Sequence, residues 1–187
     1  MLQGLQAGRP AAIAAFCDLH SSHVLRVLTR ILGSGAELSD LHHDVFARAL
    51  RGASTVKEAS ALKGWITIVA VNVARSAIKR RALTRWLSFL PWHEVPEIEA
   101  PSADDDDVEA LRRTYAALDR LPAEERIAFA LRIIDGLELT AAAAACDVSL
   151  ATFKRRLARA EARFLTIARQ DPRLAAELEG GDRWGRR

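Results

Sequence analysis

The stretch Thr140-Ala141-Ala142-Ala143-Ala144-Ala145-Cys146-Asp147-Val148-Ser149-Leu150-Ala151-Thr152-Phe153-Lys154-Arg155-Arg156-Leu157-Ala158-Arg159-Ala160 decides how this chain is read. Its near-pure alanine opening predicts a thin helix that neighbours approach closely, because alanine is the best helix former and adds the least bulk. Asp147-Val148 predicts a sharp turn in which Asp147 takes the left-handed conformation that glycine adopts more easily. Ser149 then predicts the N-cap of a second helix. On that helix Leu150, Phe153, Leu157, Ala160 and Phe164 share one face, while Thr152, Arg155, Arg156, Arg159 and Arg163 share another. A thin helix, a short turn and an N-capped helix with a basic outer face describe a helix-turn-helix, whose second helix enters the DNA major groove.

The candidate DNA contacts on this unit are Ser149, Thr152, Lys154, Arg155, Arg156 and Arg159. An arginine fork can bond two acceptors on guanine, worth about 1–3 kcal/mol of discrimination. Lys154 and the later arginines suit phosphates. Between residues 150 and 169 one acid, Glu161, stands against six bases, which is unbalanced for an ordinary solvated helix face.

Working outward, half of the 187 residues are apolar and only 6% are aromatic. Alanine, leucine and arginine dominate, so an all-α protein with real cores is expected. The formal charge of +3 conceals an uneven distribution. Residues 1–93 carry 12 bases against 5 acids, residues 94–109 carry 8 acids and no base, and residues 110–187 carry 15 bases against 11 acids. Basic blocks of this size point to a polyanion. Cys17 and Cys146 lie far apart with no signal-peptide pattern before them, so both are read as reduced core residues. The longest apolar stretch, Trp65 to Ala74, falls short of the roughly 20 residues that span a bilayer. A soluble, cytoplasmic protein is the expectation.

Helices are predicted over residues 10–32, ended by Gly33, and from Leu38 to Gly52 with Leu41, Val45 and Ala49 on one face. Residues 53–61 read as a loop. A third helix is predicted from Leu62 to Leu83, apolar all round in its middle and therefore central to an N-terminal domain, with Arg75, Lys79, Arg80, Arg81 and Arg85 at its exit. Residues 88–107, with Pro91, Pro96, Pro101 and the run Asp104 to Asp107, read as a flexible acidic linker. That acid run also suits a helix N-terminus. Trp86, Phe89 and Trp92 are unusual for a linker and would tuck against a domain or dock a partner. Val108, Leu111, Tyr115 and Leu118 predict a further helix, and Leu121-Pro122 starts another that Gly136 closes. The boundaries are then 9–87, a linker over 88–107, a second domain over 108–170, and a frayed tail over 171–187.

Leu121-Pro122 through Arg126, Asp135-Gly136-Leu137, Val148-Ser149 and Thr152-Phe153-Lys154-Arg155-Arg156 with Arg159-Ala160 together resemble region 4 of bacterial sigma factors, the extracytoplasmic-function branch fitting best. Asp40-Leu41, Asp44-Val45-Phe46 and Ala49-Leu50 resemble the core-binding helix of region 2. Trp65-Ile66 with Ile68, Ala70, Asn72 and Ala74 resembles its promoter-melting helix. Each motif is weak alone, but their order and spacing from about residue 10 to 168 are specific. The resemblance implies a dissociable subunit that docks on core RNA polymerase through Asp40, Leu41, Asp44, Val45, Phe46 and Arg48. It implies that Asn72, Lys79 and Arg80 meet the opened minus-ten strands, with the loop 53–61 capturing a flipped base, and that the helix 150–164 reads the minus-thirty-five element. An anti-sigma factor is an implied partner. The chain departs from the family at Ala141-Ala142-Ala143, where Glu-Ile-Ala is usual, and at Asp147, where glycine is usual.

Two other readings compete. A regulator could use the same helix-turn-helix without engaging polymerase, but Asp40 to Leu50 would then have no purpose. Cys17, His20, His23, His42 and His43 could be imagined as zinc ligands, but their spacing matches no common site. No carboxylate pair, phosphate loop or activated nucleophile stands out, so neither an enzyme nor a cofactor is expected.

Overall fold

The computed structural model describes residues 1–87 and 105–179. Among the described residues all regular structure is helical. The elements are α1 (Leu2–Gln6), α2 (Pro10–Leu32), α3 (Leu38–Gly52), two 3-10 turns (Ala53–Thr55 and Ala59–Ala61) and α4 (Leu62–Leu87). After them come α5 (Asp105–Leu118), α6 (Ala123–Phe129), a π-turn (Ala130–Ile134), α7 (Leu139–Ala145), α8 (Leu150–Ala168) and α9 (Pro172–Glu179).

Helices α2, α3 and α4 form the first core. Pro10 sits at the start of α2, where its missing N–H is harmless, and Gly33 ends it at φ 80°. Phe16, fully buried, meets the ring of Phe46 edge-on at 5.9 Å. In α4, Ile66, Ala70, Val71, Val73, Ala74 and Ala77 are buried. Residues 65–71, expected to be enclosed on all sides, are each buried or half-buried, and beyond them Asn72, Ser76, Lys79 and Arg80 form an exposed polar stripe. The stretch Ala59–Thr84 is long and apolar enough to cross a membrane by length and composition, which the shorter apolar run read from the sequence did not suggest. Its apolar residues are the centre of this core.

Three terminal and linker expectations are corrected. The first domain includes α1, whose Leu5 is buried against the core and which lies before the expected start at residue 9. Helix α5 begins at Asp105, inside the segment read as linker. The tail is not frayed where α9 forms. Asp171 caps it by accepting from the backbone N–H of Arg173 at 3.0 Å and of Leu174 at 3.3 Å, and also pairs with Arg113 at 3.1 Å. Leu174 is 1% exposed in a cluster with Leu118, Leu121, Phe129 and Phe164. Phe89, Trp92, Asp104, Trp184, Arg186, Arg187 and the side chain of Trp86 lie outside the described residues.

The two domains pack directly against each other. Ile127, Ala128, Leu131, Ala142, Ala143, Cys146 and Phe153 of the second domain belong to one continuous apolar cluster with the core of the first. Burial pushes the Cys146 thiol up to about 11. Polar groups reinforce the seam. Tyr115 donates its hydroxyl toward the carbonyls of Thr29 at 3.0 Å and Arg30 at 3.1 Å. Arg126, 1% exposed, donates Nε to Ile31 O at 2.8 Å and Nη2 to Leu32 O at 3.0 Å, and its Nη1 pairs with Asp119.

Leu174→Ala is expected to destabilise the second domain by about 2–5 kcal/mol, because a fully buried leucine leaves a cavity. Thermal denaturation followed by circular dichroism checks this. A melting curve that overlays the wild type would mean that α9 does not dock.

Candidate nucleic-acid and polymerase interfaces

The helix-turn-helix is built from α7 and α8, and both ends of its turn are capped. At the close of α7, Asp147 N–H bonds Ala144 O at 3.0 Å and Val148 N–H bonds Ala143 O at 3.1 Å. Asp147 has φ 55°. This is a Schellman ending with aspartate in the left-handed position that glycine usually fills. Ser149, extended at φ −65° and ψ 150°, accepts the Thr152 N–H on its Oγ at 3.2 Å. The same hydroxyl donates to Thr152 Oγ1 at 3.0 Å. Ser149 and Thr152 are thus engaged in holding the entry of α8, which fixes its direction.

Phe153, Leu157, Ala160, Phe164 and Ala168 anchor α8 in the core. Leu150, expected with them, is exposed. On the outer face Lys154, Arg155 and Arg159 are exposed and form no ion pair with the described residues. Arg156 differs: its Nη1 lies 2.8 Å from Glu124 Oε2, and the other oxygen of that carboxylate lies 2.8 Å from Arg75 Nε of α4. Arg163 pairs with Glu125 at 3.1 Å. The cationic row of the sequence is therefore two groups, Lys154, Arg155 and Arg159 open to solvent and Arg156 and Arg163 paired with acids of α6.

On α4, Asn72, Lys79 and Arg80 are exposed along one side. Asn72 Oδ1 accepts from Arg75 within the same helix, and Arg80 lies 3.9 Å from Glu37. Before them, the loop 53–61 is two short turns around buried Ala53 and Val56. Gln6 of α1 donates to Ala53 O at 3.2 Å and to Val56 O at 2.9 Å. No periodic pattern in the sequence marks this clasp.

Helix α3 separates the six polymerase candidates. Leu41, Val45 and Phe46 are buried in the core, so their side chains hold the helix in place and are not offered to a partner. The surface of α3 presents Asp40 with Asp44 and Arg48, the last two joined by two contacts of 3.0 and 2.7 Å. The histidines do not converge with Cys17. His23 Nε2 is 2.8 Å from Thr67 Oγ1, His42 Nε2 is 3.0 Å from Ser21 Oγ, and His20 packs edge-on against Phe16. Burial pushes both His20 and His23 below the usual imidazole value.

Two helical units in this order, the second ending in a capped helix-turn-helix, match known families along the chain. Residues 17–84 match Sigma-70 region 2, and residues 111–164 match Sigma-70, region 4. The chain belongs to the sigma-70 family. Among its relatives are sigma factors named for the extracytoplasmic-function (ECF) branch. It is 27% identical over 157 residues to the ECF RNA polymerase sigma factor SigE of Mycolicibacterium smegmatis, covering 81% of this chain and 61% of that protein. It is 24% identical over 174 residues to the ECF RNA polymerase sigma-E factor of Escherichia coli K12, covering 86% of this chain and 88% of that one. Among solved structures, CnrH in complex with the cytosolic domain of CnrY shares the fold at a TM-score of 0.61 and 17% identity, covering 91% of this chain and 96% of CnrH. The sigma factor RpoE in complex with the anti-sigma factor NepR from Bartonella quintana shares it at 0.57 and 23%, covering 83% and 95%.

Sequence reasoning missed Tyr115, Glu124 and Asp135 as contacts of region 2. Arg126 was visible only as part of a motif. Ser149→Ala is expected to cost about 1 kcal/mol of stability, the usual worth of an N-cap. Urea denaturation measures it, and an unchanged midpoint would show that the cap contributes nothing.

Proposed function

We propose that this chain binds core RNA polymerase as a sigma factor and directs promoter-specific initiation, region 2 opening the minus-ten element and region 4 reading the minus-thirty-five element. The observation that carries this reading is that region 2 and region 4 occur in order on one chain, the latter presenting Lys154, Arg155 and Arg159 to solvent on a capped helix. A regulator that binds DNA without polymerase would need only the second unit. The match over residues 17–84 argues against it. The sigma-E relatives are named for the same role.

The contacts follow from the exposed groups. On α3, Asp40, Asp44 and Arg48 form the polymerase surface, with Leu41, Val45 and Phe46 supporting it from beneath. On α4, Asn72, Lys79 and Arg80 meet the separated strands, where cations and splayed bases combine. On α8, Arg155 and Arg159 contact DNA directly, and Arg156 joins them once released from Glu124. In this reading the chain lends specificity to the polymerase and catalyses no step of its own. Its place is with polymerase in the cytoplasm. By analogy with RpoE bound to NepR, an anti-sigma factor is a partner.

Geometry adds a requirement. Elements named minus ten and minus thirty-five are about 25 base pairs apart, or about 85 Å of duplex at about 3.4 Å per pair. A packed chain of 187 residues has a radius of gyration of only about 16 Å. Residues 88–104 could reach about 60 Å when fully extended. Both elements are bound together only when the domains separate.

In the holoenzyme, replacing Arg155 and Arg159 by alanine is expected to weaken promoter binding and to lower the slope of log K against log salt by about one per lost phosphate contact. Titrations at several salt concentrations measure this, and an unchanged slope would remove α8 from the contact. Asp44→Lys is expected to reduce retention of core polymerase in a pull-down while leaving the helical signal intact. Undiminished retention would reject the α3 surface.

A further inference from the structure

A helix of five residues does not hold itself together in water, because nucleation costs more than so few hydrogen bonds return. Helix α1 is nevertheless formed, and three features dock it. Leu5 is 3% exposed in the core of region 2. Gly4 lies so close to α2 that an added Cβ would stand 2.8 Å from the Cβ of Ala12. Gly8, at φ 66°, turns the chain from α1 into α2. Docking of this kind fixes the place of the side chain that follows Leu5.

That side chain is Gln6. Its Nε2 donates to Ala53 O at 3.2 Å and to Val56 O at 2.9 Å, 47 and 50 residues further along the chain. Both protons of the amide are spent on the backbone of one loop. The loop has little else to shape it. Between residues 54 and 61 only Val56 is buried, and the other side chains are exposed. Its own backbone bonds are Val56 N–H to Ala53 O at 3.2 Å and Ala61 N–H to Glu58 O at 3.1 Å. At its root Gly52 lies against the half-buried indole of Trp65, whose Cζ2 would stand 3.2 Å from an added Cβ.

A loop that must be ordered when a ligand arrives charges that entropy against binding, whereas a loop held beforehand does not. The exposed groups here suit an unpaired nucleotide: the hydroxyl of Ser54 for a base edge and the ammonium of Lys57 for a phosphate, beside an aromatic ring at the root. The loop also runs directly into α4, which carries Asn72, Lys79 and Arg80 on its exposed stripe. Helix α1 itself lies before the residues that match Sigma-70 region 2.

We propose that Gln6 is a positioning residue for strand capture, its amide holding the loop 53–61 in the shape that receives an unpaired base. Helix α1 then belongs to the strand-opening surface as the bracket that presents Gln6. The proposal rests on the reading of region 2 as the unit that opens the minus-ten element.

The test uses the full-length chain carrying Gln6→Met, which keeps the length and helix-forming tendency of the side chain but removes its donor. Hydrogen exchange at the Val56 amide is expected to quicken by about fivefold, the factor that one hydrogen bond of ordinary net strength corresponds to. Holoenzyme carrying the variant should bind a single-stranded oligonucleotide spanning the minus-ten element of a promoter it transcribes about fivefold more weakly. Its retention of core polymerase and its affinity for a minus-thirty-five duplex should equal the wild type's. Faster exchange with equal affinity for the single strand would reduce the clasp to a structural contact and overturn the positioning role, and unchanged exchange would overturn the clasp itself. Should Gln6→Met not fold, Gln6→Glu, which also lacks the donor at pH 7, is read in the same way. A wild-type holoenzyme that transcribes promoters but binds no such strand would also overturn the role. One that transcribes no promoter would instead refute the proposed function, and exchange would still decide the clasp.

Discussion

The arrangement depends on the buried guanidinium of Arg126. An arginine out of water is tolerated only when its donors are met and its charge is balanced. Here the acceptors come from two domains: Asp119 near the end of α5, and the carbonyls of Ile31 and Leu32 at the end of α2. That requirement sets α6 against the C-terminus of α2. Once α6 is there, Glu124 reaches Arg75, Asp135 reaches α2, and α7 lies along α4. The same residue that belongs to region 4 by motif is thus the one that sets region 4 against region 2.

Local signals carried much of the fold. The bounds of α2 and α3 were legible because Pro10, Gly33 and Gly52 act on the adjacent backbone, with little help from tertiary packing. The turn at Asp147 and the cap at Ser149 were legible for the same reason. The short helices α1 and α9 were not. Five and eight residues are too few to show a period, and both are held by long-range groups, Gln6 reaching Val56 and Leu174 reaching the core of region 4.

The candidate sites were legible to a similar limit. A motif states which residues occur together, but it does not state which way each one points. On α3 the family pattern mixes Asp44 and Arg48, which face out, with Leu41, Val45 and Phe46, which face in, and the 3.6-residue period separates them once the core is known. On α8 the pattern presents Arg155 and Arg156 as equivalents. The structure divides them, because Glu124 lies within reach of one and not the other. Nothing near Glu124 in the sequence announces a partner on α4.

The alanine run of α7 bears on how this arrangement forms. Alanine has no side-chain rotamers to lose on burial, so laying Ala142, Ala143 and Ala145 into the shared cluster removes almost no side-chain freedom from the chain. Methyl groups also bury little area apiece, and the attraction returned per residue is correspondingly small. Such a surface lets α7 lie close to its neighbours without fixing their side chains, and the larger Ile127, Leu131 and Phe153 supply most of the burial in the same cluster.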